Sequence, residues 1–240
     1  MDTRFWGPSA WQLFHLIAFR SPHPEDVLND MKDVLPCKFC RASTTEYVRQ
    51  SPLRGDPGKW LYDIHNQVNH KLRSQCADDP AVVNPGPDPT FEDIKKHYME
   101  MKPRSVPGRD FLFSIAYNFP DKPEPRDMSI QREFLHHLAD TYPFDNLRTV
   151  FQTYTKAHEP TLSSRTMYTK WMYGLLKQLS KETKTPIKTY RGYMHHVAYY
   201  KSGCASKTYH GKTCRKSATG KLTKFRDHKK THRVSHRDLL

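Results

Sequence analysis

The sequence predicts an all-α fold on two observations. Apolar residues recur three and four apart rather than alternating as strands require, and the 18 prolines gather in clusters that separate the periodic stretches. A length of 240 residues suits one large domain or two small ones, and 12 Phe with 13 Tyr are enough to build a core. No run approaches the roughly eighteen unbroken apolar residues of a membrane span, and the opening Met1-Asp2-Thr3-Arg4 lacks the basic-then-apolar order of a secretory leader, so neither is expected.

A first helix is expected over residues 8–20. Pro8 takes an early position where its missing N–H costs little, and Trp11, His15 and Ala18 fall in one stripe. A second begins near Pro24, with Glu25 and Asp26 favourable to the helix dipole, and stops before Pro36. Pro36 opens a third, which carries Cys37 and Cys40 in its first turn and continues through Tyr47 and Val48. The fourth, 58–73, spaces Trp60, Ile64, Val68 and Leu72 four apart, the narrow seam of a bundle helix. Thr90 caps a short fifth helix whose Phe91, Ile94, Tyr98 and Met101 share a face. Residues 80–90 and 103–108, rich in Pro and Gly, read as loops. A second helical region follows, with helices expected over 111–117, 130–142, 144–157, 165–179 and 190–200.

The formal charge of +14 is uneven, with +10 of it in residues 201–240. Basic residues dominate there and apolar ones thin out, which predicts a flexible basic tail behind the two helical regions, 1–102 and 103–200. Such a tail suits nucleic acid, an anionic membrane surface or acidic partner proteins, and equally suits simple solubility. His228, His232 and His236 fall four apart, but in so basic a segment no metal site is expected.

The five cysteines are too few and scattered for a disulfide-stapled fold. Cys37-Lys38-Phe39-Cys40 places two sulfurs one helical turn apart at a helix start, where backbone N–H groups, Lys38 and Arg41 favour thiolate. Redox chemistry, a buried structural pair and half of a zinc site remain open, the last lacking a second close pair of ligands. A thioredoxin reading fails because no βαβ pattern surrounds the motif. On the fourth helix His65, Asn66 and Asn69 border the seam, either as a satisfied hydrogen-bond cluster or as groups that hold a flat heteroaromatic ligand.

Taken together, these segments resemble the Erv/ALR family of flavin-linked sulfhydryl oxidases. The resemblance covers about residues 4–102. It rests on Trp6-Gly7-Pro8-Ser9-Ala10-Trp11 with His15, on Pro36-Cys37-Lys38-Phe39-Cys40, and on Trp60 with His65-Asn66-Gln67-Val68-Asn69-His70-Lys71-Leu72. It implies a four-helix bundle plus a short fifth helix, noncovalent FAD and a homodimer. By position, Trp6, Gly7, Trp11, His15, Trp60, His65, Asn66, Asn69, Lys71 and Tyr98 would hold the cofactor. Trp11 and His15 would line a ring pocket, His65, Asn66 and Asn69 would hold the adenosine side, Lys71 would reach the phosphates and Tyr98 would close the site. Cys40 would be the flavin-proximal thiol and Cys37 the interchange thiol. The implied reaction forms disulfides in protein dithiol substrates, passing electrons through FAD to O2 with release of H2O2. The version with Pro after Gly most resembles the enzymes of large cytoplasmic DNA viruses, which implies the host cytoplasm or the virion.

Two departures stand out. Pro8 occupies a position where many members carry Arg or Lys, and Cys76 lacks the later partner of a second, structural disulfide. Cys204 and Cys214 read either as a shuttle pair on the tail or as incidental thiols. Residues 109–181 carry an echo of the first region. Phe113-Ser114-Ile115-Ala116-Tyr117 is similar to Phe14-His15-Leu16-Ile17-Ala18-Phe19, Pro143 and Arg148 repeat the spacing of Pro36 and Arg41, and Trp171 falls near where Trp60 would. A degenerate oxidase-like bundle and an unrelated accessory domain both account for this. Against the oxidase stand a basic helical nucleic-acid or scaffold-binding protein with a structural or zinc-binding Cys pair, and a thiol–disulfide carrier without flavin.

Overall fold

Several helices start at a side chain that accepts one of their first N–H donors, and these groups fix the boundaries. The structure, a computed structural model, describes residues 2–78 and 82–200; the expected basic tail, with Cys204 and Cys214, lies outside them. Helix α1 (Thr3–Arg20) begins five residues earlier than the sequence suggests, because the Asp2 carboxylate accepts the Arg4 N–H, and Pro8 is therefore carried inside the helix. Helices α2 (Glu25–Val34) and α3 (Lys38–Gln50) flank Pro36. Helix α4 (Pro57–Asp78) starts where Asp56 accepts the Gly58 and Lys59 N–H groups, and it runs past the expected end at Arg73. Thr90 caps α5 (Phe91–Glu100) by accepting the Asp93 N–H.

The second region folds as α6 (Arg109–Asn118), α7 (Pro125–Thr141), α8 (Asp145–Ala157), α9 (Arg165–Glu182) and α10 (Tyr190–Tyr199). The described residues are thus helical and loop only, an N-terminal bundle of α1–α5 followed by α6–α10. Helix α1 packs on α4, α5 and α6, while α2 packs on α3 and α7. Helix α9 packs on α6 and α8. One continuous apolar core runs from Trp6 to Val197 through both regions.

The α1–α6 contact depends on a residue without a side chain. Gly108 precedes α6 with φ of +72°, and a Cβ there would lie 2.5 Å from Leu13 Cδ2 and 3.0 Å from Leu13 Cβ. Because Gly108 offers no cap of its own, Ser9 Oγ from α1 accepts the Asp110 and Phe111 N–H groups instead. Gly108→Ala is therefore expected to destabilise by about 2–4 kcal/mol, from left-handed backbone strain and overpacking against buried Leu13. Calorimetry would read this as a fall in thermal midpoint of roughly 5–10 °C.

Candidate active site

Helices α1, α3, α4 and α5 and the segment 83–89 enclose a cavity of about 690 Å³. The α4 seam splits between core and cavity. Trp60, Leu61 and Ile64 are buried in the core, whereas Val68 and Leu72, one and two turns further on, line the cavity wall.

Both cysteines reach this cavity. Cys37 is the N-cap of α3 rather than a first-turn residue, because its extended backbone lets Sγ accept the Cys40 N–H at 3.4 Å. Cys37, Cys40 and Cys76 are free thiols, with Cys37 only 2% exposed. The Cys40 side chain hydrogen-bonds to the Cys37 sulfur, and with help from the Phe39 and Cys40 backbone N–H groups it lowers the Cys37 thiol to about 6. That same bond, reinforced by burial, raises Cys40, while the Lys71 ammonium opposes the rise. The pair shares one proton, with the charge on Cys37 at the helix N-terminus. Lys71 Nζ also donates to Ser43 Oγ at 2.6 Å.

Across the cavity lies a stack of rings. Trp11 stacks on His65 at 3.8 Å, His15 stacks on Tyr98 at 4.8 Å, and His15 Nε2 lies 2.9 Å from His65 Nδ1. One imidazole donates and the other accepts, so the pair is held neutral. Burial lowers His65 to about 4, and burial with the neighbouring His65 and His97 pushes His15 well below the usual histidine range. On the α1 wall Trp6 Nε1 and His15 Nδ1 are buried without a hydrogen-bond partner.

Of the residues expected at a cofactor, Trp6, Gly7, Trp11, His15, His65, Asn66, Asn69, Lys71 and Tyr98 all line this one cavity. Trp60 does not. It points into the core, where its indole N–H donates to the Ser51 carbonyl at 2.8 Å, so its likeness in sequence position reflects packing. The sequence reading missed the strap at 83–89, read simply as loop. Arg73 donates to the Gly86 carbonyl and pairs with both Asp88 carboxylate oxygens, Asn69 donates to Asp88 at 2.9 Å, and the Tyr62 hydroxyl donates to the Pro89 carbonyl. Arg73 and then Asn69 hold the Asp88 carboxyl below its usual range. Asp88→Ala is expected to cost only about 1 kcal/mol, since the pair is partly exposed, yet to speed proteolytic cleavage within the strap several-fold. Ser43 and Tyr47 on the α3 wall were also missed, and the one legible signal was their spacing one and two turns beyond Cys40.

A profile of the Erv1 / Alr family matches residues 8–84, which contain the cysteine pair and most of the cavity wall. A probable FAD-linked sulfhydryl oxidase of Acanthamoeba polyphaga mimivirus is 33% identical over 99 residues, covering 35% of this chain and 69% of that protein. The chain belongs to the Erv1 / Alr family. The mitochondrial FAD-linked sulfhydryl oxidase ERV1 of Saccharomyces cerevisiae is 32% identical over 90 residues, 32% of this chain. The chain spans about half (48%) of that yeast protein's length. No solved structure matches. Membership in Erv1 / Alr makes Cys37–Cys40 the expected redox-active dithiol. Among the described residues no cluster of His, Cys, Asp and Glu could hold a metal ion, and no helix is long and apolar enough to cross a membrane.

Proposed function

We propose that this protein is an FAD-dependent thiol oxidase that forms disulfides in protein substrates, with residues 1–102 as the catalytic unit and 103–200 as an accessory region. The observation that carries the reading is that a polarised thiol pair and a stack of rings open onto one cavity, since Cys37, Cys40, Trp11, His15 and His65 all border the same space. The residues fit a large heteroaromatic ligand with a phosphate linker. Trp6 Nε1 and His15 Nδ1 are buried polar atoms awaiting partners, the Trp11–His65 stack offers flat faces, and Lys71 supplies a cation. Trp11, His15, His65, Asn66, Asn69 and Tyr98 would hold FAD. When bound, FAD would take the electron pair from the reduced cysteines and deliver it to O2, giving H2O2.

The chain's own part is thiol–disulfide exchange. A substrate thiolate attacks Cys37 in the Cys37–Cys40 disulfide, the S–S bond breaks, and Cys40 carries away the electron pair as thiolate near the Lys71 ammonium. The second substrate thiol then displaces Cys37, which leaves readily because its thiolate is stabilised by the Cys40 and Phe39 N–H groups. The substrate departs as a disulfide and the pair is left as dithiol. The neutral His15–His65 pair keeps positive charge away from the ring stack.

Similarity to the mimivirus protein supports placing the enzyme among those of large DNA viruses, acting on viral proteins in a reducing cytoplasm. The test is purification without added metal. A yellow protein that consumes oxygen with a dithiol, and whose Cys40→Ser variant traps substrate as a mixed disulfide, supports the proposal. A colourless protein that exchanges thiols without oxygen uptake refutes it.

A further inference from the structure

We infer that residues 109–182 are a second copy of the four-helix unit spanning 3–78, its site filled by apolar side chains. The two copies face each other across an approximate two-fold axis within one chain.

The first observation is how the helices pair. In the first unit α1 packs on α4, α2 on α3 and α3 on α4; in the second α6 packs on α9, α7 on α8 and α8 on α9. Between the units α1 lies on α6 and α2 on α7, so these two helices each meet their own counterpart. A contact in which the same patch is used on both sides is the mark of a two-fold relation.

Register makes the correspondence residue by residue. Helices α3 and α8 are both 13 residues long and 107 positions apart. Arg41 donates to the carbonyl of Leu35, and Arg148, its counterpart, donates to the carbonyl of Tyr142. Leu35 and Tyr142 end their helices with nearly the same backbone, φ/ψ of −56°/136° and −55°/131°. Ser51 and His158 close α3 and α8 with N–H bonds to Tyr47 and Tyr154. Each closing carbonyl then accepts an indole N–H at 2.8 Å, from Trp60 in one unit and Trp171 in the other. Those indoles begin Trp60-Leu61-Tyr62 and Trp171-Met172-Tyr173.

The axis itself is marked by a side-chain pair. Asp30 and His137 are also 107 positions apart, and His137 Nδ1 lies 2.8 Å from Asp30 Oδ2. A residue that touches its own counterpart lies on or beside the axis.

The same registers explain why the second unit has no site. Phe144 and Leu147 stand where Cys37 and Cys40 do, and Leu176 and Ser180 where His65 and Asn69 do. Aligning α6 on α1 by their last residues places Ile115-Ala116-Tyr117 on Ile17-Ala18-Phe19 and Phe113 on His15. Phe113 meets Tyr193 edge-on at 4.4 Å, whereas His15 stacks on Tyr98 at 4.8 Å. Tyr154, the counterpart of cavity-lining Tyr47, drives across the space to donate to the Trp171 carbonyl, and only a glycine at 174 leaves room for its hydroxyl. The partner on the α1–α2 face is thus the chain's own second copy, and a homodimer would have to form through other faces.

Spin-label distances test the axis on the full chain. With nitroxides carried on an encoded non-natural residue, so that the native cysteines stay, label pairs go at Asp26 with Lys156 and at Arg49 with Glu133, all exposed. The positions exchange under the axis, so the two pairs are expected to give the same modal distance. Two separate distances, neither within the other's width, would overturn the inference. A second measurement exchanges the axial pair. Asp30→His or His137→Asp alone is expected to lower the thermal midpoint by roughly 2–4 °C, and the two together to recover most of it. A double variant no better than the worse single one would likewise overturn the inference.

Discussion

Cys40→Ala is expected to reduce dithiol-driven oxygen uptake by about 10³-fold or more and, in the same protein, to move the Cys37 thiol from about 6 back toward the ordinary cysteine range. The largest cause of that depression is the hydrogen bond from the Cys40 side chain, which alanine cannot make. The backbone N–H of residue 40 remains, so some depression survives. Iodoacetamide labelling of the reduced protein against pH, read by mass spectrometry, follows the change. In the unaltered protein the charge of the reduced pair is expected on Cys37 at pH 7, with Cys40 protonated beside it. Cys37→Ala is expected to be equally inactive without producing a low-pH labelling event, because Cys40 lacks the cap position that lets Cys37 accept a helix N–H. A Cys40→Ala protein that still labels with a midpoint near 6 would assign the depression to the backbone N–H groups alone.

Acid is the second large lever. Between pH 6.5 and 4 the cofactor-free fold is expected to lose about 2–3 kcal/mol of stability through His65 alone, with a further loss of the same sign through His15. Unfolded imidazoles take up protons near pH 6.5. In the folded state burial holds His65 near 4 and His15 well below its usual range, so the unfolded chain binds more protons throughout that window. Stability is therefore greatest above pH 6.5, falls as the pH drops, and levels off for His65 near pH 4. Urea titrations across this range measure the slope. His65→Gln, which cannot titrate, is expected to flatten it by about half; an unchanged slope would mean that His65 titrates alike in the folded and unfolded chain.

Helix order was readable because each helix carries its own stop and start. Pro24, Pro36 and Thr90 sit where helices change, and the described helices follow the expected sequence. Boundaries failed where a side chain outweighed a familiar marker. Asp2 capped α1 ahead of Pro8, and Cys37, read as a helical residue, was itself the cap. The cysteine pair and the ring wall were legible because they sit at one helix start and along single helices with recognisable spacing. The strap was not, since the bonds joining Arg73 to Asp88 and Tyr62 to Pro89 link positions 15 and 27 residues apart with no period to reveal them. Trp60 was misplaced for the opposite reason, a regular seam whose first half faces the core and whose second half faces the cavity. On the inferred duplication, the echo in residues 113–117 is faint in letters because closing hydrogen bonds are kept while the chemistry-bearing side chains are replaced.

The strap has a practical consequence for handling the protein. Pro85, Pro87 and Pro89 leave it few conformations to lose, and the ion pair among the bonds that hold this wall in place is the partly exposed contact between Arg73 and Asp88. Dissolved ions weaken such a contact over about 10 Å at 0.1 M and over much shorter distances at 1 M. If the chain holds a flavin as proposed, columns washed with concentrated sodium chloride are expected to loosen this wall and weaken flavin retention modestly relative to dilute buffers of the same acidity.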